Sequence, residues 1–97
     1  MTEIFLPEPI VFEWDEGNQN KSWLKHKVST KECEEAFQDP KRRSWKDFPH
    51  SKNEPRYIML GAAQNRRILF IVFTIRKISV RVISARNASK NERKIYL

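Results

Sequence analysis

The stretch from Arg67 to Arg76, RILFIVFTIR, is the feature that most limits what this chain can fold into. Its apolar core, Ile68 to Phe73, is far too short to cross a bilayer and too continuous for a half-exposed surface strand. It reads as a central strand buried on both faces. Arg56 to Ala62 (RYIMLGA) precedes it across a Gln64–Asn65 turn signal, and Ser79 to Ala85 (SVRVISA) follows it. The connections are too short for crossovers, so these strands should form an antiparallel meander.

If the second turn centres on Lys77–Ile78, Thr74 faces Arg81, Ile75 faces Val80 and Phe73 faces Val82. Alternation then puts Ile71, Phe73, Ile75, Val80 and Val82 on one face, a wall for helices. Thr74, Arg76, Ser79 and Arg81 share the other, a cationic, hydroxyl-bearing patch. A slip of one residue would exchange the two faces. Arg86 falls on the apolar side by strict alternation, so it must lie past the strand end or after a bulge.

Upstream, Ile10 to Trp14 reads as a short strand. Asp15 is a plausible N-cap for a helix running from Glu16 to about His26. A tight turn at Lys27–Val28 leads to Ser29, which with Glu32 has capping-box spacing, and Cys33, Ala36 and Phe37 fall at helical intervals before Pro40. Residues 40–55 read as a polar loop with a short strand near Trp45. Ser89 and Glu92 form a second capping box, opening a last helix through Asn91 to Tyr96. The fold class is therefore α+β: an antiparallel sheet of three to four strands, two N-terminal helices and a C-terminal helix. The expected organisation is one domain, residues 10–97, behind a flexible lead-in, residues 1–9.

The chain has 97 residues with 19 Lys+Arg against 12 Asp+Glu, a formal charge of +7. So large a surplus on a small surface favours polyanions: RNA, DNA or an acidic protein. A single cysteine, Cys33, rules out an internal disulfide and a cysteine zinc cluster. No cofactor or metal site is expected. With acidic residues and two prolines near its start, the chain lacks the pattern of a signal peptide, and a cytoplasmic location is expected.

Taken in order, several motifs are similar to those of the BrnT family of type II toxins. They are Trp14-Asp15, Lys25-His26, Val28-Ser29 before Ala36-Phe37, His50-Ser51 with Glu54, and Arg56-Tyr57. Leu60-Gly61, Leu69 to Arg76, Arg81 to Arg86 (RVISAR), Glu92-Arg93 and Tyr96 complete the set. The resemblance implies a fold related to RelE-type ribonucleases, RNA cleavage that halts translation, and neutralisation by a BrnA-type antitoxin encoded alongside. It also implies a toxin–antitoxin hetero-oligomer that meets operator DNA only through the antitoxin. The chain departs from the family in having Lys27 and Lys77 where glycine is usual and Asn18 where a basic residue is usual. If position 27 needs a left-handed backbone, lysine is strained there by roughly 1 kcal/mol.

Metal-free RNA cleavage needs a base for the 2′-hydroxyl, an acid for the departing 5′-oxygen and cations for the phosphorane. The expected catalytic set is Lys25, His26, Arg76, Arg81 and Arg86. His26 can transfer protons near neutrality, and the arginines can fork onto phosphate. Arg67, Thr74, Arg93 and Lys27 are expected to contact RNA. Each has an ordinary alternative: a helix-end histidine, a solvated charge, or, for Arg86, an ion pair with Glu92. His50 and Glu54 could supply a second proton-transfer group, though loop residues of this kind are more often simply exposed. Trp23, Trp45 and Tyr57 could stack on bases, with Trp23 more readily placed in the core. The rival function is a non-catalytic nucleic-acid binder or translation modulator using the same basic face. A protein-interaction domain whose charge is incidental is a third.

Overall fold

In the computed structural model, which describes residues 3–6 and 8–97, the chain forms a five-stranded sheet and three helices. In chain order these are β1 (Val11–Phe12), α1 (Lys21–His26), α2 (Thr30–Phe37), β2 (Arg43–Lys46), β3 (Tyr57–Ala62), β4 (Ile68–Arg76), β5 (Ser79–Asn87) and α3 (Lys90–Tyr96). The strand order is β1-β5-β4-β3-β2. The meander is antiparallel as expected, but the sheet as a whole is mixed, because β1 runs parallel to β5. The expectation of a purely antiparallel sheet is corrected here. Between β1 and β5 the chain passes through two helices and three strands, long enough for the return a parallel pairing requires.

β4 is the middle strand and is covered on both faces. On one side Leu69, Ile71 and Phe73 join Met59, Val82 and Phe37 in the main core beneath α1 and α2. On the other, Ile68 and Phe70 pack with Trp45, Leu60 and Tyr96 beneath α3. Gly61 admits a close approach of α2 to the sheet: a Cβ there would lie 2.6 Å from the Ala36 carbonyl oxygen of α2. Cys33 is buried in the main core, and burial pushes its thiol up to about 12, which removes it from nucleophilic chemistry.

The hairpin register is the expected one: Thr74 pairs with Arg81, Ile75 with Val80, and Phe73 with Val82. An irregularity then leaves Ile83 unpaired, since Val72 pairs with Ser84. This bulge carries Arg86 to the face opposite the main core, where its guanidinium lies 4.1 Å from the Phe70 ring. Beyond the end of β1, side chains serve β5 backbone groups in place of a strand. Asn18 donates to the Val82 carbonyl at 3.0 Å, and the Ser22 hydroxyl accepts from Ala85 N–H at 2.8 Å.

Asp15 does not start the first helix. Its carboxylate accepts from Gly17 N–H and is bound by Arg81, and residues 16–20 form turns before α1 begins at Lys21. Buried Asn18 also bonds to the backbone of Asp15 and Glu13, so local side-chain bonds outcompete helix there. The other two caps form as expected, each a complete capping box: Ser29 with Glu32 and Ser89 with Glu92. Lys27 and Lys77 both adopt the left-handed backbone, at φ 58° and 56°.

The lead-in expected to be flexible makes defined contacts where it is described. Glu3 bridges to Trp45, Ile4 and Leu6 pack on the main core, and Glu8 pairs with Arg42 at 3.0 Å. Residues 1, 2 and 7 of that segment lie outside the described residues.

Candidate functional site

The expected site residues divide between the two ends of the sheet. α1 runs along β5, and its C-terminal carbonyls, those of His26 and Lys27, accept from Arg67 at 3.0 and 2.7 Å. Lys25, His26 and Lys27 therefore sit at the end of the sheet where β4 begins. Arg76 ends β4, nine residues beyond Arg67, and Arg81 on β5 pairs with Thr74, seven beyond it, which at the rise of a strand is roughly 23–30 Å. The lysine–histidine pair and the hairpin arginines do not converge on one phosphate, and that expectation is corrected. Periodicity could place residues on a face but not on an end, because the direction of α1 is set by tertiary packing.

Arg67 is committed to structure. Its Nε donates to Asn87, Nη1 to Lys27 O and Glu32, and Nη2 to His26 O, so four of its five N–H groups are occupied. Thr74, expected to touch RNA, is fully buried and donates its hydroxyl to the Pro55 carbonyl at 2.6 Å. Arg86 forms a bidentate pair with Glu92 at 2.8 and 2.9 Å, the ordinary alternative noted above, and lies about 20 Å along the sheet from Arg76. Arg93 is exposed on α3. Trp45 is in the core beneath α3, and Tyr57 packs on Phe73. Trp23 is half exposed, with the Lys27 ammonium 5.3 Å from its ring, and is not the core residue expected.

At the hairpin end a cleft of about 550 Å³ opens between residues 49–56 and the end of β4, lined by His50, Lys52, Asn53, Glu54, Arg56 and Arg76. A short 3-10 helix, Phe48–His50, starts its loop, and Ser51 closes the loop by donating to Asp47 O and accepting from Arg56 N–H. The Thr74–Pro55 bond ties the loop to the sheet beneath. Arg76 Nη2 and Nε donate to the two Glu54 oxygens at 3.2 and 3.3 Å. The hydrogen bonds from that guanidinium hold the Glu54 carboxyl below its usual range against the opposing effect of desolvation, with lesser help from the charges of Arg56 and Arg81. His50 Nδ1 lies 2.9 Å from Asp47 Oδ2. A carboxylate only accepts, so Nδ1 carries the proton and Nε2 is the nitrogen left to act.

Arg81 lies just behind the cleft. Only 14% of its side chain is exposed, and Nη1 and Nη2 are held by Glu13 at 2.9 Å and Asp15 at 2.7 Å. Glu13 also approaches Arg76, at 3.6 Å, so one carboxylate spaces the two guanidinium groups. Among the described residues, the side chains of Lys52 and Arg56 make no ion pair, and the cleft is net cationic. Of the residues that line the cleft, Arg76 alone belonged to the catalytic set expected from sequence, and Arg81 behind it was the other member at this end. His50 and Glu54 had been weighed as a second proton-transfer group against plain exposure, Arg56 had entered only through the family resemblance, and Asp47, Lys52 and Glu13 had not been singled out. The run His50, Lys52, Glu54, Arg56 is dense in chemistry-bearing groups, and that density is the signal that could have found it. Among the described residues no group of three His, Cys, Asp or Glu side chains is arranged to hold a metal ion.

Fold and site together define a small, basic α+β protein whose open cleft presents guanidinium, imidazole and carboxylate groups to an anion. A family model described as the ribonuclease toxin BrnT of type II toxin-antitoxin systems matches residues 14–92. The chain belongs to that family, that is, to ribonuclease toxins that act opposite an antitoxin. No curated protein matches it.

Proposed function

We propose that this toxin is a metal-independent endoribonuclease whose reaction takes place in the hairpin-end cleft. The observation that supports this most is that Arg76 lines one cleft with His50, Glu54 and Arg56. An incoming phosphodiester replaces Glu54 as the partner of Arg76, and Arg56 neutralises its second non-bridging oxygen. Glu54, released from Arg76 as a carboxylate, takes the proton of the 2′-hydroxyl. The 2′-oxygen attacks phosphorus, the bond to the 5′-oxygen breaks, and that oxygen leaves with a proton from His50 Nε2. Asp47 orients the ring through Nδ1. The products are a 2′,3′-cyclic phosphate and a 5′-hydroxyl.

Arg81 and Thr74 are positioning residues in this scheme, one spacing Arg76 through Glu13, the other anchoring the loop. Lys25, His26, Lys27 and Arg93 lie outside the cleft and extend phosphate contacts along a longer RNA. Arg86 and Arg67 hold structure. The cellular reading follows the family resemblance: cleavage inhibits translation in the cytoplasm, a BrnA-like antitoxin neutralises the toxin in a hetero-oligomer, and operator DNA is met only through that complex. Kinship to RelE-type ribonucleases rests on the same resemblance.

The test is incubation of the purified chain with RNA in EDTA. Cleavage leaving cyclic phosphate ends supports the proposal. RNA that is bound with a steep salt dependence but left intact favours a non-catalytic binder.

A further inference from the structure

We propose that the antitoxin docks on the tip of the β4–β5 hairpin, placing one branched or aromatic apolar side chain in a groove there and a carboxylate against Lys77. The proposal rests on the toxin–antitoxin reading above, and it names a surface separate from the RNA cleft.

The groove, about 130 Å³, is lined by Ile10, Val11, Ile75, Ile78 and Val80, with Lys77 among its residues. A cavity of that order accepts one benzene-sized or branched aliphatic group. Its apolar walls are open to solvent: Ile78 is 83% exposed, Val11 46% and Ile75 36%. Clustered exposure of this kind marks an interaction surface rather than scattered surface hydrophobes. β1, which forms one wall, is the terminal strand of the sheet, so an extended segment can lie along its outer edge.

Charge selects the occupant. The chain carries +7, and the cationic groups at the hairpin tip are Lys77 and, one residue earlier, the half-exposed Arg76. A second copy seated symmetrically on this groove would bring Lys77 against its own counterpart and two +7 bodies together. An acidic partner can pair with Lys77, because the nearby carboxylates Glu13, Asp15 and Glu54 are already held by Arg76 and Arg81. Geometry links docking to neutralisation. Ile75 and Arg76 are neighbours on β4 and point to opposite faces, Ile75 into the groove and Arg76 into the cleft. A segment crossing the Lys77–Ile78 turn covers the entrance on the Arg76 side.

The polypeptide encoded in the reading frame adjacent to the toxin is the probe, titrated against purified wild-type chain and three variants. Ile78→Asp should weaken binding by at least about tenfold, and Lys77→Glu should weaken it while flattening its salt dependence. Leu24→Asp, which alters the exposed apolar residue of α1, should bind as wild type. Ile78 is in solvent, so the free Ile78→Asp chain should fold and cleave RNA at the wild-type rate. Unchanged binding by Ile78→Asp, or loss with Leu24→Asp instead, overturns the groove proposal and leaves the toxin–antitoxin reading intact. A free wild-type chain that sediments as a dimer, dissociated by Ile78→Asp, assigns the groove to self-association and overturns it too. Wild-type chain that binds none of the probe overturns both readings.

Discussion

The buried hydroxyl of Thr74 donates to the carbonyl of Pro55 at 2.6 Å, and this bond, with the Arg76–Glu54 pair, fastens the loop bearing His50, Glu54 and Arg56 to the strand bearing Arg76. Thr74→Val keeps the shape but strands the carbonyl. Stability should fall by about 1–2 kcal/mol in a urea titration. RNA cleavage should fall further than the unfolded fraction explains, because the loop loses its register with Arg76. Thr74→Ser should restore most of both.

Gly61 faces the backbone of α2. A Cβ at that position would lie 2.6 Å from Ala36 O and 2.8 Å from Met59 Sδ. The nearer atom belongs to the backbone, so the helix must move. Gly61→Ala should cost about 1–3 kcal/mol, read as a lowered thermal midpoint, with the cleavage rate of the folded fraction unchanged.

Lys27 and Lys77 occupy left-handed backbone at φ 58° and 56°. Glycine carries no Cβ penalty there, although it loses more chain entropy on folding. Each Lys→Gly substitution should therefore stabilise the protein by about 0.5–1 kcal/mol in chemical denaturation.

Glu32 is held by the Ser29 capping box, Arg67 and Asn65. Burial alone would raise its carboxyl, but those bonds outweigh it and lower it from 4.5 to about 2. A depressed carboxyl contributes stability that is whole above its unfolded value and is lost as pH falls through the folded one. The loss should therefore occur between about pH 4.5 and 2. After solvent screening the effect should be on the order of 1–2 kcal/mol. Glu32→Gln should remove it, which acid titration followed by circular dichroism will show.

Much of the sheet was legible because its rules are local. A turn at Lys77–Ile78 set the hairpin register of Thr74 and Arg81, strict alternation required Arg86 to lie past the strand end or after a bulge, and the serine–glutamate spacings marked two helix starts. The site was harder to read because its partners are distant in sequence. Arg81 pairs with Glu13, 68 residues away, and Arg76 with Glu54, 22 residues away. Sequence shows such arginines as free cations, whereas each is already held by a carboxylate. Asp15 reads as a helix cap for the same reason: nothing local announces that Arg81 will claim it.

The central claim is that chemistry occurs at the hairpin end rather than at the lysine–histidine end of α1. The most direct measurement is single-turnover RNA cleavage in EDTA by wild type, Arg76→Ala, His50→Ala and the Lys25→Ala/His26→Ala double variant. The account predicts that Arg76→Ala and His50→Ala each lose about 10²-fold or more in rate. The double variant should keep its rate at saturating RNA and lose only affinity. Full activity in His50→Ala, together with abolished cleavage in the Lys25/His26 variant, would contradict it.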